Sequence, residues 1–217
     1  MAFFDPNIEK LKSKKNSKAL IKALGSKSTH IQAQAAKALG DLYARDAVDG
    51  LIVALRDWND DVQIASAEAL GKIGNTRAIK PLLKAMRENN KTLKKTIISA
   101  LGQIGFDAIQ PLIELLNNPD SELRDQAIQA IAELGDLAKK NIKIQLFDHK
   151  NPYRQTMLKV FWKIGDAESI DILIDILNSD PQFELRQAAA EYLVNLGEKA
   201  VPKLLETAVH PDSDLTP

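Results

Sequence analysis

Apolar residues recur at helical spacing along most of the chain, and the pattern returns about every 31 residues. The string Ala-Leu-Gly stands at 38–40, 69–71 and 100–102. In segment 61–74 one apolar stripe is formed by Val62, Ala65, Ala69, Leu70 and Ile73. Such a stripe predicts an amphipathic helix. When the repeats are aligned, each equivalent position forms a column. One column suits the left-handed backbone conformation of the residue that follows a helix. Its residues are Tyr43, Gly74, Gly105, Gly135, Gly165 and Gly197.

Each repeat also contains a shorter apolar pattern before this stripe, so the unit is a pair of helices. Leu82, Leu83 and Met86 correspond to the same kinds of residue in later repeats. A unit of this size cannot bury two apolar faces alone, so neighbouring units must stack. The prediction is an all-α fold, an α-solenoid of about six helix pairs, with helix over about three quarters of the chain. Ala69 and Ala100 are predicted to be buried where the two helix layers meet.

The repeats are predicted as one domain, 1–217, with different ends. Asp5 and Pro6 suit the N-cap and first position of a short capping helix, and the basic run Lys10–Lys15 follows. The last apolar segment is a first helix with no second helix after it. The predicted bounds are 5–15 for the capping helix, about 16–43, 46–74, 77–105, 107–135, 137–165 and 168–197 for the repeats, 199–209 for the unpaired helix and 210–217 for a disordered tail.

Composition excludes several classes of protein. Lys plus Arg and Asp plus Glu are both 29, and a formal net charge of zero argues against binding to nucleic acid or anionic lipid by bulk charge. With no Cys, disulfides, thiolate metal sites and Cys nucleophiles are excluded. The longest apolar run, 51–55, is far shorter than the roughly 18 residues of a membrane span. No secretory signal is evident, so a cytoplasmic location is expected.

Residues 57–74 resemble the short HEAT-like repeat of the phycobilisome-lyase type. The matching positions are Asp57, Asn59, Val62, Ser66, Ala67, Ala69, Leu70, Gly71, Ile73 and Gly74. The resemblance extends over about residues 16–209 and implies a HEAT-like solenoid. It also implies a kink in the first helices, where Pro81 and Pro111 share one column. Such repeats occur in many unrelated adaptor proteins, so the resemblance is specific for the fold rather than for one function.

Motifs with catalytic or ligand-binding chemistry are weak. The acids of 57–61 with Glu68 have the spacing of a calcium loop, but the required glycine is Val62, which favours a helix-joining turn. Gly71-Lys-Ile-Gly74 resembles a nucleotide-clamping loop, but its second glycine ends a helix. No two of the three His residues have the helical spacing of metal ligands. No cofactor, metal or catalytic set is predicted.

One polar column has two interpretations. The residue after the first core position of each second helix is Gln32, Gln63, Lys94, Arg124, Arg154 or Arg186. In the family that the repeat resembles, this position is usually Arg paired with Asp of a nearby joint. The column is therefore either an ion-pair ladder that sets the stacking or a recognition stripe for a partner.

The fifth repeat departs from the pattern. Lys139 and Lys143 occupy columns that are aliphatic elsewhere, and the following helix is bulky around Trp162. One interpretation is that the second helix restores the volume that the first helix lost. The other is a partner site, where Trp and Arg are enriched. Burying an unpaired ammonium is costly, so both lysines are expected to reach water.

Charge comes in alternating blocks along the chain. Segments 77–95 and 139–163 each contain seven bases and one acid, segment 106–136 contains seven acids and one base, and segment 165–184 contains six acids and no base. Opposite signs on neighbouring repeats favour the correct register. They also give a banded surface that a partner can recognise.

These observations favour a non-enzymatic scaffold that binds a protein or peptide on a concave face formed by the second helices. The candidate binding residues are Lys94, Arg124, Arg154, Lys159, Trp162, Lys163 and Arg186. The resemblance implies a second hypothesis, a bilin or tetrapyrrole lyase or chaperone subunit, in which Arg154, Lys159 and Lys163 meet propionates. Nucleic-acid binding is a third, disfavoured by the zero net charge. No membrane partner is expected, and the oligomeric state is left open.

Overall fold

The fold is all-α, as predicted, and the described residues are 78% helical. A computed structural model describes residues 6–86 and 90–209. Within these ranges the α-helices are α1 (Ile8–Ser13), α2 (Ser17–Ala23), α3 (Thr29–Asp41), α4 (Val48–Ala54), α5 (Asp60–Ile73), α6 (Ile79–Ala85), α7 (Lys91–Ile104), α8 (Ile109–Leu115), α9 (Ser121–Glu133), α10 (Asp136–Leu146), α11 (Arg154–Ile164), α12 (Ala167–Ser179), α13 (Phe183–Leu196) and α14 (Val201–Val209). The predicted class, a HEAT-like solenoid of six helix pairs with a capping helix, is confirmed.

The chain forms two compact units, one up to Ala130 and one from Ile131 onward. The first contains α1 to α8 and most of α9, and the second contains α10 to α14. In each unit the core consists mainly of aliphatic side chains, and Phe161 is buried with them in the second unit. The single-domain organisation over 1–217 stays a prediction.

Local sequence explains where the helices begin. Asn59 and Asn90 are N-caps whose side chains accept hydrogen bonds from the N–H groups of Val62 and Leu93. The capping helix α1 has Asn7 as its N-cap, so the predicted cap at Asp5 is wrong in its position. Residue 5 itself and the predicted tail 210–217 lie outside the described residues.

The first helices α4, α6 and α8 each follow a separate 3-10 turn rather than bend at a proline. A 3-10 turn, Thr76–Ala78, precedes α6, and Pro81 lies in the first turn of α6. First-turn N–H groups lack a partner within their own helix, so a proline is tolerated there. The same 3-10 turn forms before α4, where Gly50 takes the place of the proline, so proline does not cause it.

The glycine column after each second helix has positive φ throughout. Gly74 has φ 69° and ends α5 in the left-handed conformation. Tyr43, the non-glycine residue of this column, is forced into the same region at φ 50°. For a residue with a Cβ this conformation costs roughly 1–2 kcal/mol.

Successive second helices approach through glycine and alanine. A Cβ built on Gly40 would lie 2.7 Å from the Cα of Ala69, and one built on Gly71 would lie 2.6 Å from the Cα of Ala100. Ala69 and Ala100 are each 1% exposed, which confirms their predicted burial, but they contact the preceding second helix rather than the boundary between the two helix layers. The repeated Ala-Leu-Gly string therefore encodes this contact, with alanine meeting the preceding helix and glycine meeting the next.

We expect Tyr43→Gly to stabilise the protein by about 0.5–1 kcal/mol, because left-handed strain is relieved and the 66% exposed ring loses little packing. Urea unfolding measures the change. Tyr153→Gly is the control, since Tyr153 has φ −106° and has no such strain. A gain of equal size in both variants would contradict the explanation.

Gly71→Ala should destabilise the protein by about 1–3 kcal/mol, although alanine favours a helix by about 1 kcal/mol, because the new methyl meets backbone. Gly102→Ala is the matched control. Its nearest atom is the Cβ of Ala130 at 3.2 Å, so the change should stay within about 1 kcal/mol. Thermal or urea unfolding compares the two, and the reverse order would refute the close-approach account.

Candidate binding surface

Side chains of the polar column that begins at Gln32 donate hydrogen bonds to backbone carbonyl oxygens in the joints between helices. Gln63 Nε2 donates to the carbonyl oxygen of Asp57 at 2.7 Å, and Arg124 Nη1 donates to that of Asn118 at 2.7 Å. Arg186 Nη1 donates to the carbonyl oxygen of Asp180 at 2.6 Å. All three acceptors lie six residues upstream, in the joint after the first helix. Backbone carbonyl oxygens at and just beyond a helix C-terminus have no N–H donor from their own helix, and these side chains supply one.

Arg154 is the buried member of this column. Its side chain is 1% exposed, its Nε donates to the carbonyl oxygen of Leu146 at 2.5 Å, and its guanidinium forms two hydrogen bonds with the carboxylate of Asp180. Burial raises the pKa of Asp180, but the hydrogen bonds from Arg154 and from the N–H of Gln182 outweigh it and hold the pKa below its usual value.

Arg154 is therefore not available to a partner, and its assignment as a binding residue is wrong. The reason is that its guanidinium ties two repeats together, as the ladder interpretation predicted. Arg124 and Arg186 are half-buried and held at their joints. Lys94 is half-buried on α7. The binding roles of these three residues stay predictions.

Trp162 takes the place of a glycine in the close contact between second helices. It occupies the column of Gly40 and Gly71, and its ring stacks on Tyr192 with centroids 5.3 Å apart and 18° between the planes. Tyr192 in turn occupies the column of Ala69. Two rings thus replace a glycine–alanine contact between α11 and α13, and these helices cannot approach as closely at this level.

The stacked pair lies at the surface beside a basic residue. Trp162 and Tyr192 are both half-buried, and Lys163 is exposed with its Nζ 5.9 Å from the centre of the Trp162 rings. Lys159 is half-buried one turn earlier on α11. We call Lys159, Trp162, Lys163 and Tyr192 the aromatic–basic surface. Trp162 is not enclosed, whereas its neighbour Phe161 fills the core at 0% exposure.

Lys139 contradicts the expectation that both lysines of α10 reach water. Its side chain is 7% exposed, and its Nζ lies 2.5 Å from Asp136, 2.7 Å from Asp166 and 2.8 Å from Glu168. Hydrogen bonds to Asp136 and then to the other two carboxylates raise its pKa above the ordinary lysine value. Three carboxylates offset the cost of burial that a single lysine would incur. Lys143 is exposed, as expected.

The alternating charge blocks meet as ion pairs between neighbouring repeats. In the first unit, Lys91 lies 2.5 Å from Glu122, which also pairs with Lys95. In the second unit, Lys139 and Arg154 join the basic block 139–163 to the acidic block 165–184. These pairs show that the banding serves stacking, so the blocks are not by themselves evidence of a partner.

The calcium-like segment is a helix-capping turn. Asp57 Oδ1 accepts a hydrogen bond from the N–H of Asn59 at 2.9 Å, and Asn59 caps α5.

The joint 55–63 and the residues around Pro81 and Lys84 line a cleft of about 620 Å³ in the first unit, where Trp58 is 84% exposed. Among the described residues no cluster of His, Cys, Asp and Glu has the makings of a metal site. No helix in 6–86 or 90–209 is long and apolar enough to cross a membrane.

Sequence reasoning missed Tyr192 and Asp180. Tyr192 stands in a column that otherwise holds four alanines and Val160, so its size was a visible signal once the repeats were aligned. Asp180 lies in a polar joint like many other acids, and only its burial at 5% exposure distinguishes it. No pattern in the sequence marks that burial.

Comparison with known protein families identifies the repeat type. The family described as HEAT repeats matches residues 17–94, 79–152 and 140–216. No curated protein is similar enough to match. A solved structure of the complex of CpcE and CpcF of phycocyanin lyase from Nostoc sp. PCC7120 is similar over 93% of this chain and 84% of its own, with 22% identity and a TM-score of 0.49. The archaeal HEAT-like repeats protein from Thermococcus onnurineus NA1 covers 89% and 92%, with 15% identity and a TM-score of 0.47.

Arg154→Met should cost about 3–5 kcal/mol at pH 7, because it leaves the carboxylate of Asp180 buried without its partner. The folded-state pKa of Asp180 is lowered, so its ion pair contributes stability above the unfolded pKa of about 4 and loses it as the pH falls through the folded pKa. The difference between variant and wild type should therefore shrink in acid. Urea unfolding at pH 7 and pH 3 measures both values.

Arg186→Met is the control for this experiment. Its guanidinium donates to backbone carbonyls, so we expect a loss of about 1 kcal/mol that does not change between the two pH values. An equal loss at pH 7 and pH 3 for Arg154→Met would show that Asp180 is not the reason for its cost.

Proposed function

We propose that this chain, which belongs to the HEAT-repeat family, is a non-enzymatic scaffold that binds a protein or peptide at the aromatic–basic surface of its second unit. One observation carries the proposal: Trp162 and Tyr192 form a half-buried stack in the pair of columns where Gly40, Gly71 and Gly102 contact Ala69, Ala100 and Ala130. Stacking of the repeats does not require aromatic rings at these two positions, whereas recognition of a partner would use them.

The chemistry of this surface suits a partner with an acidic, partly apolar segment. Trp and Tyr are enriched among the residues that dominate binding energy, because they bury a large apolar area and still offer a polar atom. The ammonium group of Lys163 lies beside the indole and is exposed to solvent. Acidic side chains of the partner would pair with this ammonium group, while an apolar side chain between them packs on the face of the indole ring.

The charged groups with shifted pKa values support a non-enzymatic role. Lys12 and Lys72 lower the pKa of Asp41 through hydrogen bonds, and the shifts of Lys139 and Asp180 have similar causes. Each of these groups joins neighbouring helices in an ion pair. The perturbations that often mark catalytic residues are explained here by packing.

The test is selection of binding peptides from a random library on the intact chain, followed by affinity measurements on the variants. Trp162→Ala should weaken the selected peptides by about 30-fold, or about 2 kcal/mol, as expected for a hot spot. Trp58→Ala is the matched control, since Trp58 is an exposed indole on the first unit. It should change affinity by less than about threefold.

Two outcomes of this test would contradict the proposal. If Trp58→Ala abolishes binding and Trp162→Ala does not, the cleft beside Trp58 is the binding site and the aromatic–basic surface is not. If selected peptides are basic rather than acidic, the role assigned to Lys163 is wrong. Circular dichroism of both variants verifies that each retains its helices.

A tetrapyrrole-handling role is the second candidate. Flat rings between ammonium groups also suit a planar anionic pigment, and Lys159 and Lys163 flank Trp162 on α11. Arg154, the third residue expected to meet propionates, is buried against Asp180. Titration with a bilin, followed by visible absorbance, tests this role, and an unchanged spectrum in wild type and Trp162→Ala alike excludes it.

A further inference from the structure

Helix α10 has apolar residues in two columns where the other repeats are mostly charged. The first helices are aligned by one column that is 0% exposed from the second repeat onward, formed by Ala47, Ala78, Ala108, Ala138, Ser169 and Ala200. The residue before this column is Leu137 in the fifth repeat, and elsewhere it is Asp46, Arg77, Asp107, Glu168 or Lys199. The residue six positions after the column is Ile144 in the fifth repeat, and elsewhere it is Val53, Lys84, Glu114, Asp175 or Glu206.

These apolar side chains lie at the surface. Leu137 is 55% exposed, Ile144 is 63% exposed, and Phe147, which ends α10, is 39% exposed. Residues three, four and seven positions apart share a helix face, so the three side chains form one stripe about 15 Å long. The opposite face of α10 is buried, and α10 contacts α11. The stripe therefore adds nothing to the core, and it is exposed apolar area of the kind that marks an interaction site.

Three lysines without ion-pair partners lie beside this stripe. Lys140 stands within it, Lys143 is on its flank, and Lys150 follows in the joint after α10; all three are exposed. Within the described part of the chain none of these ammonium groups is in an ion pair, whereas Lys139 on the buried side is paired with three carboxylates. We call Leu137, Lys140, Lys143, Ile144 and Phe147 the outer α10 surface.

The acids nearest to this surface are already engaged. Asp136, Asp166 and Glu168 contact Lys139 at the start of α10. Asp148, just after α10, accepts a hydrogen bond from the backbone N–H of Lys150 at 3.0 Å. The ammonium groups of Lys140 and Lys143 therefore remain available, and complementary charge on a partner would be acidic.

An extended anionic surface such as a membrane fits this site poorly. The ion pair between Lys139 and Asp166 brings the start of α12 against α10. Helix α12 exposes Glu168, Asp171 and Asp175. A broad anionic surface that touched α10 would approach these carboxylates as well and be repelled by them.

The shape and charge of the stripe suit one narrow partner. A helix is about 10–12 Å across with its side chains, so a single helix can lie along α10 and contact little else. A second copy of this chain that docked through the same face would bring Lys140 and Lys143 against the same residues of its partner, which is unfavourable. An amphipathic helix with acidic flanks avoids that repulsion.

We propose that the outer α10 surface binds an acidic amphipathic helix of another protein. Its apolar residues pack on Leu137, Ile144 and Phe147, and its carboxylates pair with Lys140 and Lys143. These residues lie on the face of α10 opposite the buried one, whereas Trp162 lies on α11 and stacks on Tyr192 of α13. The surface is therefore separate from the aromatic–basic surface, and the proposal does not rest on the function proposed there.

The probes are two designed, labelled peptides of about four helical turns that share one stripe of leucines at helical spacing. The other positions are Glu and Gln in the acidic peptide and Lys and Gln in the basic peptide. Binding to the intact chain is measured by fluorescence anisotropy in low salt. We expect the acidic peptide to bind at least about tenfold more tightly than the basic one.

Ile144→Glu should weaken the acidic peptide by about tenfold or more, because it places a carboxylate in the apolar contact. The repeat accepts this residue, since Glu114 occupies the same column. Val53→Glu is the matched control, because Val53 stands in that column in the first unit and is 73% exposed. It should change affinity by less than about twofold. Equal melting temperatures of the two variants verify that both are folded.

Lys140→Gln tests the charge separately, because it leaves the apolar stripe intact. It should weaken the acidic peptide by about threefold in low salt, and the difference from wild type should vanish in high salt. Lys80→Gln is its control, since Lys80 is an exposed lysine of the same column on α6. Trp162→Ala should leave the affinity unchanged, which separates this test from that of the proposed function.

Several results would overturn the proposal. Failure of both peptides to bind, or equal affinities of the two, would exclude an acidic helix as the occupant. Equal effects of Ile144→Glu and Val53→Glu would show that the peptide binds elsewhere. Binding to vesicles that contain phosphatidylserine, abolished by Ile144→Glu, would make a membrane the occupant. A dimer in sedimentation equilibrium that Ile144→Glu dissociates would make it a second copy of the chain.

Discussion

The close approach of successive second helices is the constraint on which the rest of this structure depends. At Gly71 there is no room even for a Cβ, because the Cα of Ala100 would lie 2.6 Å away. Such contacts bring helix backbones together, so the larger aliphatic residues on either side interlock and become buried. The 31-residue spacing of Ala-Leu-Gly is the sequence form of this geometric requirement.

Polar residues, some of them buried, also hold neighbouring repeats together. The column of Gln32 and Arg154 binds the carbonyl groups that each first helix leaves open, and Arg154 also reaches the carboxylate of the next joint. Lys139 is surrounded by three carboxylates in a position where other repeats have an aliphatic residue. Charge in this protein therefore works mainly between repeats, and a residue is a candidate for partner contact only where stacking does not already use it.

Two places depart from the repeat without a need arising from stacking. At Trp162 a ring replaces glycine and meets a second ring, which leaves apolar area half exposed beside Lys163. Val194 is 78% exposed, and Leu204 is 37% exposed in a column that is fully buried in earlier repeats. In a protein whose other residues follow one rule, exposed apolar area at a departure from that rule is the best physical indication of a binding surface.

The sequence by itself determined the fold class, the number of helix pairs and the burial of Ala69 and Ala100, because these follow from periodicity and from the small residues that recur with it. It also showed that Trp162 and Lys139 were exceptions. Their environments were decided by the tertiary structure. Lys139 is enclosed because residues near in space but 27 and 29 positions away supply carboxylates. Trp162 is half-buried, with one face of its ring stacked on Tyr192 from the next second helix. Arg154 likewise looked like a binding residue until its burial against Asp180 was known. A pattern along the chain encodes local conformation and repeat register, whereas the partners of one charged side chain depend on distances that only the folded chain defines.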